Sequence, residues 1–198
     1  MQAIGITGSF GTGKTTVARL FAKLGAKVID ADELSHKVIK KGSSGYKKVF
    51  SGFGKGILNA RGEVNRKKLA RVVFNNLSAL QKLCKIVHPA VIREIKKQIK
   101  IAKRKQQLIV VDAPLLIEAG LGRMMDKLVV VVASQEQQFK RLKRKTGLGR
   151  TEILKRIKAQ LPLKKKIQLA DFVVDNSGSL TYTKKQVKII WQEIGGKK

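Results

Sequence analysis

A five-stranded parallel α/β sheet flanked by helices is the fold this 198-residue sequence predicts. Three observations predict it. Short apolar, β-branched runs alternate with segments of helical periodicity. The runs are apolar almost throughout rather than at every second residue, as strands buried on both faces are. The first run leads at once into the glycine-rich turn "GSFGTGKT" (8–15) and a helix, the strand–turn–helix unit from which such sheets are assembled.

The elements follow in order. "AIGIT" (3–7) reads as a strand, and "KTTVARLFAKLG" as a helix with Val17, Leu20, Phe21 and Leu24 on one face. "KVID" (27–30) is the second strand, and "ADELSHKVIKKG" begins a helix. From about 43 to 106 no strand is expected, so this stretch reads as a helical block inserted beside the sheet. Within it Asn65 is placed to cap "RKKLARVVF", and "LQKLCKIV" and "AVIREIKKQIKIAKRK" read as two helices parted by His88-Pro89. "QLIVVDAP" (107–114) and "KLVVVVAS" (127–134) are the third and fourth strands. A basic helical stretch from Gln135 to Ala170 is broken at Gly147, Gly149 and Pro162. "DFVVDN" (171–176) is the fifth strand, and "LTYTKKQVKIIWQEIG" closes the chain as a helix.

Composition narrows the class. At 43% hydrophobic residues the chain can bury a core. The single cysteine, Cys84, excludes an internal disulfide and suits a reducing cytosol. No apolar run reaches the roughly 18 residues of a membrane span, and "MQAIGITGS" lacks the charged start of a signal peptide, so a cytoplasmic protein is expected. Lys and Arg number 43 against 13 Asp and Glu, a net charge of +30. Such charge attracts nucleotides, nucleic acid or acidic membranes, but the lysines are spread over nearly every helix, as on solvated faces. Aromatic residues make up only 5%, which is little for stacking the bases of a single strand.

The turn at 8–15 satisfies G-x-x-x-x-G-K-[ST] through Gly8, Gly13, Lys14 and Thr15. Glycines let the backbone curl so that its N–H groups point at phosphate oxygens, and the helix that follows adds the positive end of its dipole. Lys14 reaches the outer phosphates, and the Thr15 hydroxyl binds Mg²⁺. In an empty cradle Lys14 is expected to face solvent. A nucleoside triphosphate is therefore the expected ligand.

Acids are scarce, yet Asp30, Asp112 and Asp175 fall at or near strand ends, where ligands of parallel sheets bind. "DAD" (30–32) can deprotonate or orient an acceptor hydroxyl; Asp32 can equally cap the helix after it. Asp112 suits a second Mg²⁺-directed acid, or a helix cap. In the basic stretch Arg141, Arg144 and Lys145 precede "TGLG", as in a mobile lid that would supply charge to a transferring phosphate. His36 reads as a surface helix residue, and His88 as the mark of a helix break.

"GITGSFGTGKTTVARLFAKLGAKVIDAD", "NRKKLA", "VHP", "DAPLLIEAG" and "AQLPLKKKIQLADFVVDNSGS" stand in the order seen in dephospho-CoA kinases, and the chain resembles that family from Gly5 to about Trp191. The resemblance implies the P-loop kinase fold. Its core is 1–32, 107–140 and 171–198, its helical acceptor-binding insertion 33–106, and its lid 141–170. It implies transfer of the ATP γ-phosphate, with Mg²⁺, to the ribose 3′-hydroxyl of dephospho-coenzyme A. Gly8, Gly11, Thr12, Gly13, Lys14, Thr15 and Thr16 would hold ATP phosphates. Asn176 and Gly178 would lie beside adenine. Asp32 would be the base with Asp30 nearby, and Arg141 the lid arginine. Arg66, His88 and Leu115 fall on the acceptor side, and Thr15 and Asp112 on the metal. Ser9-Phe10, Lys145-Thr146-Gly147 and Ile167 depart from the family's usual residues. Lysine keeps charge but loses arginine's planar fork. A kinase with a nucleoside monophosphate or shikimate-like acceptor is the second reading, and a nucleic-acid-binding P-loop protein the third. No specific nucleic-acid partner and no membrane insertion are expected.

Overall fold

A computed structural model of the chain describes residues 2–105 and 107–195, so the end of the expected core, 196–198, lies outside the described residues. Five strands form one all-parallel sheet: β1 (Ala3–Gly8), β2 (Lys27–Asp30), β3 (Ile109–Asp112), β4 (Lys127–Val132) and β5 (Phe172–Asp175). Their spatial order is β2-β3-β1-β4-β5. β1 is central, between β3 and β4: every residue of β1 is buried, and so is every residue of β3. This two-sided burial is why both runs are apolar without alternation. In register, Asp30 of β2 faces Asp112 of β3, and Asp112 faces Ile6 of β1, so both acids sit at the carboxyl edge beside the loop that leaves β1.

The chain forms two compact units. The first holds the described residues up to Asp30 and from Gln98 onward; the second is Ala31–Lys97. In the first, α1 (Lys14–Lys23) and α9 (Leu180–Glu193) cover one face of the sheet. Val17, Leu20 and Phe21 of α1, Val187, Ile190 and Trp191 of α9, and Ile4, Ile6, Val110, Val129 and Val131 of the strands form one buried cluster. Phe21 and Trp191 meet as a tilted ring pair, centroids 6.4 Å apart. Three short basic helices, α6 (Gln135–Thr146), α7 (Arg150–Lys158) and α8 (Leu163–Gln168), precede β5. They are parted where the glycines and the proline predict: Gly147 turns the chain at φ +68°, Gly149 stands before α7, and Pro162 before α8.

The second unit contains α2 (Ala31–Val38), α3 (Ser44–Phe53), α4 (Arg66–Asn75) and most of α5 (Leu77–Arg104). Asn65 caps α4, its side-chain oxygen accepting the N–H groups of Lys67 and Lys68 at 3.1 Å each. Among the described residues its strand-like pairing is one antiparallel bridge, Leu58 with Val64. Here a sequence expectation fails: His88-Pro89 does not divide two helices, because α5 runs unbroken through Pro89. Proline in a helix costs about 3 kcal/mol through its missing donor and its ring clash. Against that, Val87, Val91, Ile95, Ile99 and Ala102 are buried in one helical phase on both sides of the proline. Keeping that phase retains burial worth roughly 1.5–3 kcal/mol for each large side chain, which outweighs the local cost. Among the described residues no helix is long and apolar enough to cross a membrane.

Candidate active site

The phosphate loop joins two elements of the first unit. β1 ends at Gly8, α1 starts at Lys14, and Gly13 takes the capping position in the left-handed region at φ +91°. The Thr16 and Val17 N–H groups of that first turn reach the Gly13 carbonyl at 2.9 and 3.3 Å, and the helix start carries the positive end of its dipole. Thr15 and Thr16 lie exposed in that first turn, while Thr12 is fully buried and its hydroxyl donates to Ser9 O at 3.0 Å. Lys14 does not face solvent as expected. It is buried, and its ammonium donates to Ser9 O at 3.0 Å and Gly8 O at 3.3 Å. The curl that aims amides outward turns these carbonyls inward, and a buried cation must find acceptors.

Residues from the β5 end of the sheet and from α6 hold the loop in place. Asn176, just past β5, is buried; its amide nitrogen donates to Thr12 O at 2.8 Å and its oxygen accepts from Thr183 of α9 at 3.0 Å. Arg141 of α6, half-buried, donates to Asn176 O at 2.8 Å and to Thr12 O at 3.4 Å. Room for these side chains is made by absent ones. A Cβ on Gly13 would lie 2.1 Å from the Asn176 amide nitrogen, and one on Gly8 would lie 2.3 Å from Val131 O. Asn176, assigned by resemblance to the adenine side, thus spends its amide inside the protein. Gly178 is exposed in the same loop, whose Ser177 accepts from the Ser134 N–H at 3.1 Å and from the Gln137 side chain. Asp175 shapes this loop as well, accepting the Ser177 N–H at 2.8 Å.

Two carboxylates stand at the strand ends beside the loop. Asp30 and Asp112 are paired across adjacent strands, about 4.8 Å apart in backbone spacing, and point to one side of the sheet. Asp112 is only 5% exposed and Asp30 half-buried. No helix starts directly after Asp112, so it is not a helix cap. Leu115 is half-buried in the turn that follows.

The remaining expected residues lie in the second unit. Asp32 is exposed and sits inside the first turn of α2, not ahead of it, so it is not the N-cap; the carboxylate is favoured there by the helix dipole. Arg66 opens α4 and lines a cavity of about 480 Å³ with Glu33, His36, Lys37, Lys40 and Lys41. His36, expected on the surface, is half-buried in this wall. Lys37 pairs with Glu33 at 2.7 Å, and that hydrogen bond holds the Glu33 carboxyl below its ordinary range. Asp32 and His88 do not line the cavity. Burial of His88 midway along α5 pushes its imidazole below the ordinary histidine range, so it is neutral at neutral pH.

Comparison with known proteins decides between the readings of this geometry. Residues 2–182 match the family described as dephospho-CoA kinase. The chain belongs to the dephospho-CoA kinase family. It is 43% identical to the dephospho-CoA kinase of Carboxydothermus hydrogenoformans over 98% of this chain and 94% of that one. To that of Aquifex aeolicus it is also 43% identical, over 98% of each chain. The solved dephospho-CoA kinase from Campylobacter jejuni superposes with a TM-score of 0.71 at 29% identity, covering 97% of this chain and 96% of that one. The fold is that of the P-loop kinases, and the chain is a phosphotransferase: dephospho-CoA kinases carry out the last, ATP-dependent step of coenzyme A biosynthesis.

Three side chains that the sequence does not single out brace this dephospho-CoA kinase's phosphate loop and the turn after β3. Gln160 accepts the Phe10 N–H at 3.0 Å, and Arg156 lies over the Phe10 ring at 5.6 Å. Lys166, fully buried, pairs with Glu118 at 2.9 Å. In the sequence Lys166 is one lysine of "LKKKIQ". The one signal separating it from its neighbours is its helical phase with Leu163 and Ala170.

Proposed function

We propose that this dephospho-CoA kinase transfers the γ-phosphoryl group of ATP to the ribose 3′-hydroxyl of dephospho-coenzyme A with Asp32 as general base. The supporting observation is the phosphate loop itself. Its Thr12, Ser9 and Gly8 carbonyls are held by Asn176, Arg141, Thr12 and Lys14 within the protein, and the loop runs into the N-terminus of α1, the positive end of that helix's dipole. Such a loop recognises phosphate oxygens by N–H donors.

In this reading the acceptor's 3′-oxygen attacks the γ-phosphorus, its proton passes to the Asp32 carboxylate, and the bond to the β,γ-bridging oxygen breaks to release ADP. Gly8, Gly11, Thr12, Gly13, Thr15 and Thr16 cradle the phosphates. Lys14 and Arg141 exchange their present carbonyl partners for phosphate oxygens, offsetting charge that builds during transfer. Arg141 begins the lid, 141–170. Asp30, Arg66, His88 and Leu115 take the acceptor; of these Arg66 and His88 belong to the insertion, 33–106. The neutral His88 then offers hydrogen bonds rather than charge. Asn176 holds the loop from which Gly178 approaches adenine.

ATP is taken as its magnesium complex. The exposed Thr15 hydroxyl and the Asp112 carboxylate at the end of β3 are the hard oxygen donors this ion favours, and they fit it. Bound there, magnesium neutralises part of the phosphate charge. The reading includes a cytoplasmic location, in keeping with a single unpaired Cys84, and no specific nucleic-acid partner.

One experiment tests it: incubation with ATP and dephospho-coenzyme A, the product's phosphate located by mass spectrometry. Phosphate at the 3′-position is expected, and phosphate elsewhere or RNA-stimulated ATP consumption without transfer overturns the assignment. Asp32→Asn should lower kcat roughly 10²–10⁴-fold with ATP affinity nearly unchanged. An unchanged kcat removes Asp32 as the base.

A further inference from the structure

Lys166 is 0% exposed, which a lysine side chain rarely is unless its charge is matched. Its ammonium has two acceptors: Glu118 Oε1 at 2.9 Å and Pro114 O at 2.8 Å. Both belong to the turn that follows Asp112. Pro114 O also accepts the Thr7 hydroxyl at 3.2 Å, and Thr7 is the β1 residue immediately ahead of Gly8. Glu118 Oε1 accepts in addition the Leu161 N–H at 2.8 Å. One residue earlier, Gln160 takes the Phe10 N–H at the tip of the phosphate loop. The segment 160–166 therefore grips the tip of the phosphate loop with one end and the turn beyond Asp112 with the other.

We propose that Lys166 is a positioning residue for phosphoryl transfer: through the Pro114 carbonyl and Glu118 it holds the turn after Asp112 in register with the phosphate loop. Asp112 and the loop amides lie on separate strands, β3 and β1, and sheet pairing fixes them only as far as the strand ends. Beyond that edge the Ala113 N–H still reaches Ile6 O at 3.0 Å, and the next tie across the two segments is the Pro114 carbonyl. A displacement of about 1 Å in such groups is enough to slow transfer about a hundredfold. A neutral residue could fill the same space. With an apolar side chain there, Pro114 O and Glu118 would both lose the ammonium donor.

The inference rests on the kinase reading above, and its test separates the two. Lys166→Met removes the donor but leaves the partly exposed Glu118 carboxylate without its counter-ion beside an apolar chain, so it is paired with Lys166→Met/Glu118→Leu, which removes both charges together. In the double variant kcat for transfer should remain at least tenfold low, with the KM for ATP changed less than about threefold. Amide exchange read by mass spectrometry should be faster for peptides spanning 113–120 and 7–12. Glu118→Gln, which keeps the oxygen acceptor, should stay within about threefold of the parent kcat. A double variant as stable as the parent, with parental kcat and parental exchange, overturns the proposal, because Lys166 then only neutralises Glu118. If the parent transfers no phosphate to dephospho-coenzyme A, the kinase reading falls. The exchange measurement still decides whether Lys166 ties the turn to the loop.

Discussion

Replacing Gly13 by alanine tests the phosphate loop at its tightest point. Its backbone is left-handed at φ +91°, and the added Cβ would sit 2.1 Å from the Asn176 amide nitrogen. The conformation alone costs an L-residue roughly 1–2 kcal/mol. Asn176 must also move, which breaks its bonds to Thr12 O and to the Thr183 hydroxyl. Each buried hydrogen bond is worth about 1 kcal/mol, and up to about 3 where a partner is left unsatisfied. The sum is about 3–8 kcal/mol, a large share of a total stability of roughly 5–15 kcal/mol, so the variant is strongly weakened. Urea denaturation of Gly13→Ala, Asn176→Ala and the double variant measures it, with ADP binding followed by calorimetry. Asn176→Ala alone should cost about 2–3 kcal/mol. Because removing Asn176 also removes the clash, the double variant should cost less than the sum by at least about 1 kcal/mol. Costs that add to within about 0.5 kcal/mol, or a Gly13→Ala protein with parental midpoint and ADP affinity, would refute the claim that Asn176 and the loop form one rigid clamp.

Two further outcomes follow from the site. Lys14→Ala should lower transfer by at least about 10²–10³-fold, as loss of a charge-stabilising donor does. Since the buried ammonium also ties Gly8 O and Ser9 O, the same change should lower the urea midpoint, and an unshifted midpoint would mean the ammonium adds nothing to loop stability. For His88, burial lowers the folded pKa below the value near 6.5 of the unfolded chain. Its contribution is therefore full above about pH 6.5, is lost as pH falls from there to the folded pKa, and is level below that. The difference in denaturation midpoint between parent and His88→Gln, followed from about pH 7.5 to 5, should shrink toward acid, and a constant difference would show that the imidazole does not titrate with folding.

The sheet was legible in the sequence because β1 and β3 are buried on both faces and so carry no polar interruption to misread. The breaks at Gly147, Gly149 and Pro162 were legible because those residues act on the backbone locally. Pro89 was not. Its local preference is overruled by a buried stripe of Val87, Val91 and Ile95 whose phase is a property of the whole helix. The α3 helix left little periodic signal, and it depends on a cap, the Ser43 hydroxyl accepting the Tyr46 N–H at 3.0 Å.

The site divides along the same line. Gly8, Gly13, Lys14 and Thr15 could be read because a bend that offers amides to phosphate needs those residue types at that spacing. What holds the bend could not. Asn176 is separated from Thr12 by 164 residues and Arg141 by 129, so no local pattern connects them. Lys166 shows the difficulty most sharply: it stands in a run of three lysines, and only the fold makes it the one that is wholly buried while Lys164 and Lys165 lie exposed. Charge counting treats the three alike. Burial does not, since a cation removed from water persists only where acceptors are already in place. Among the described residues the +30 composition thus conceals two buried cations, Lys14 and Lys166, and both end on backbone carbonyls, Lys14 on Gly8 and Ser9 of the phosphate loop and Lys166 on Pro114 of the turn after Asp112.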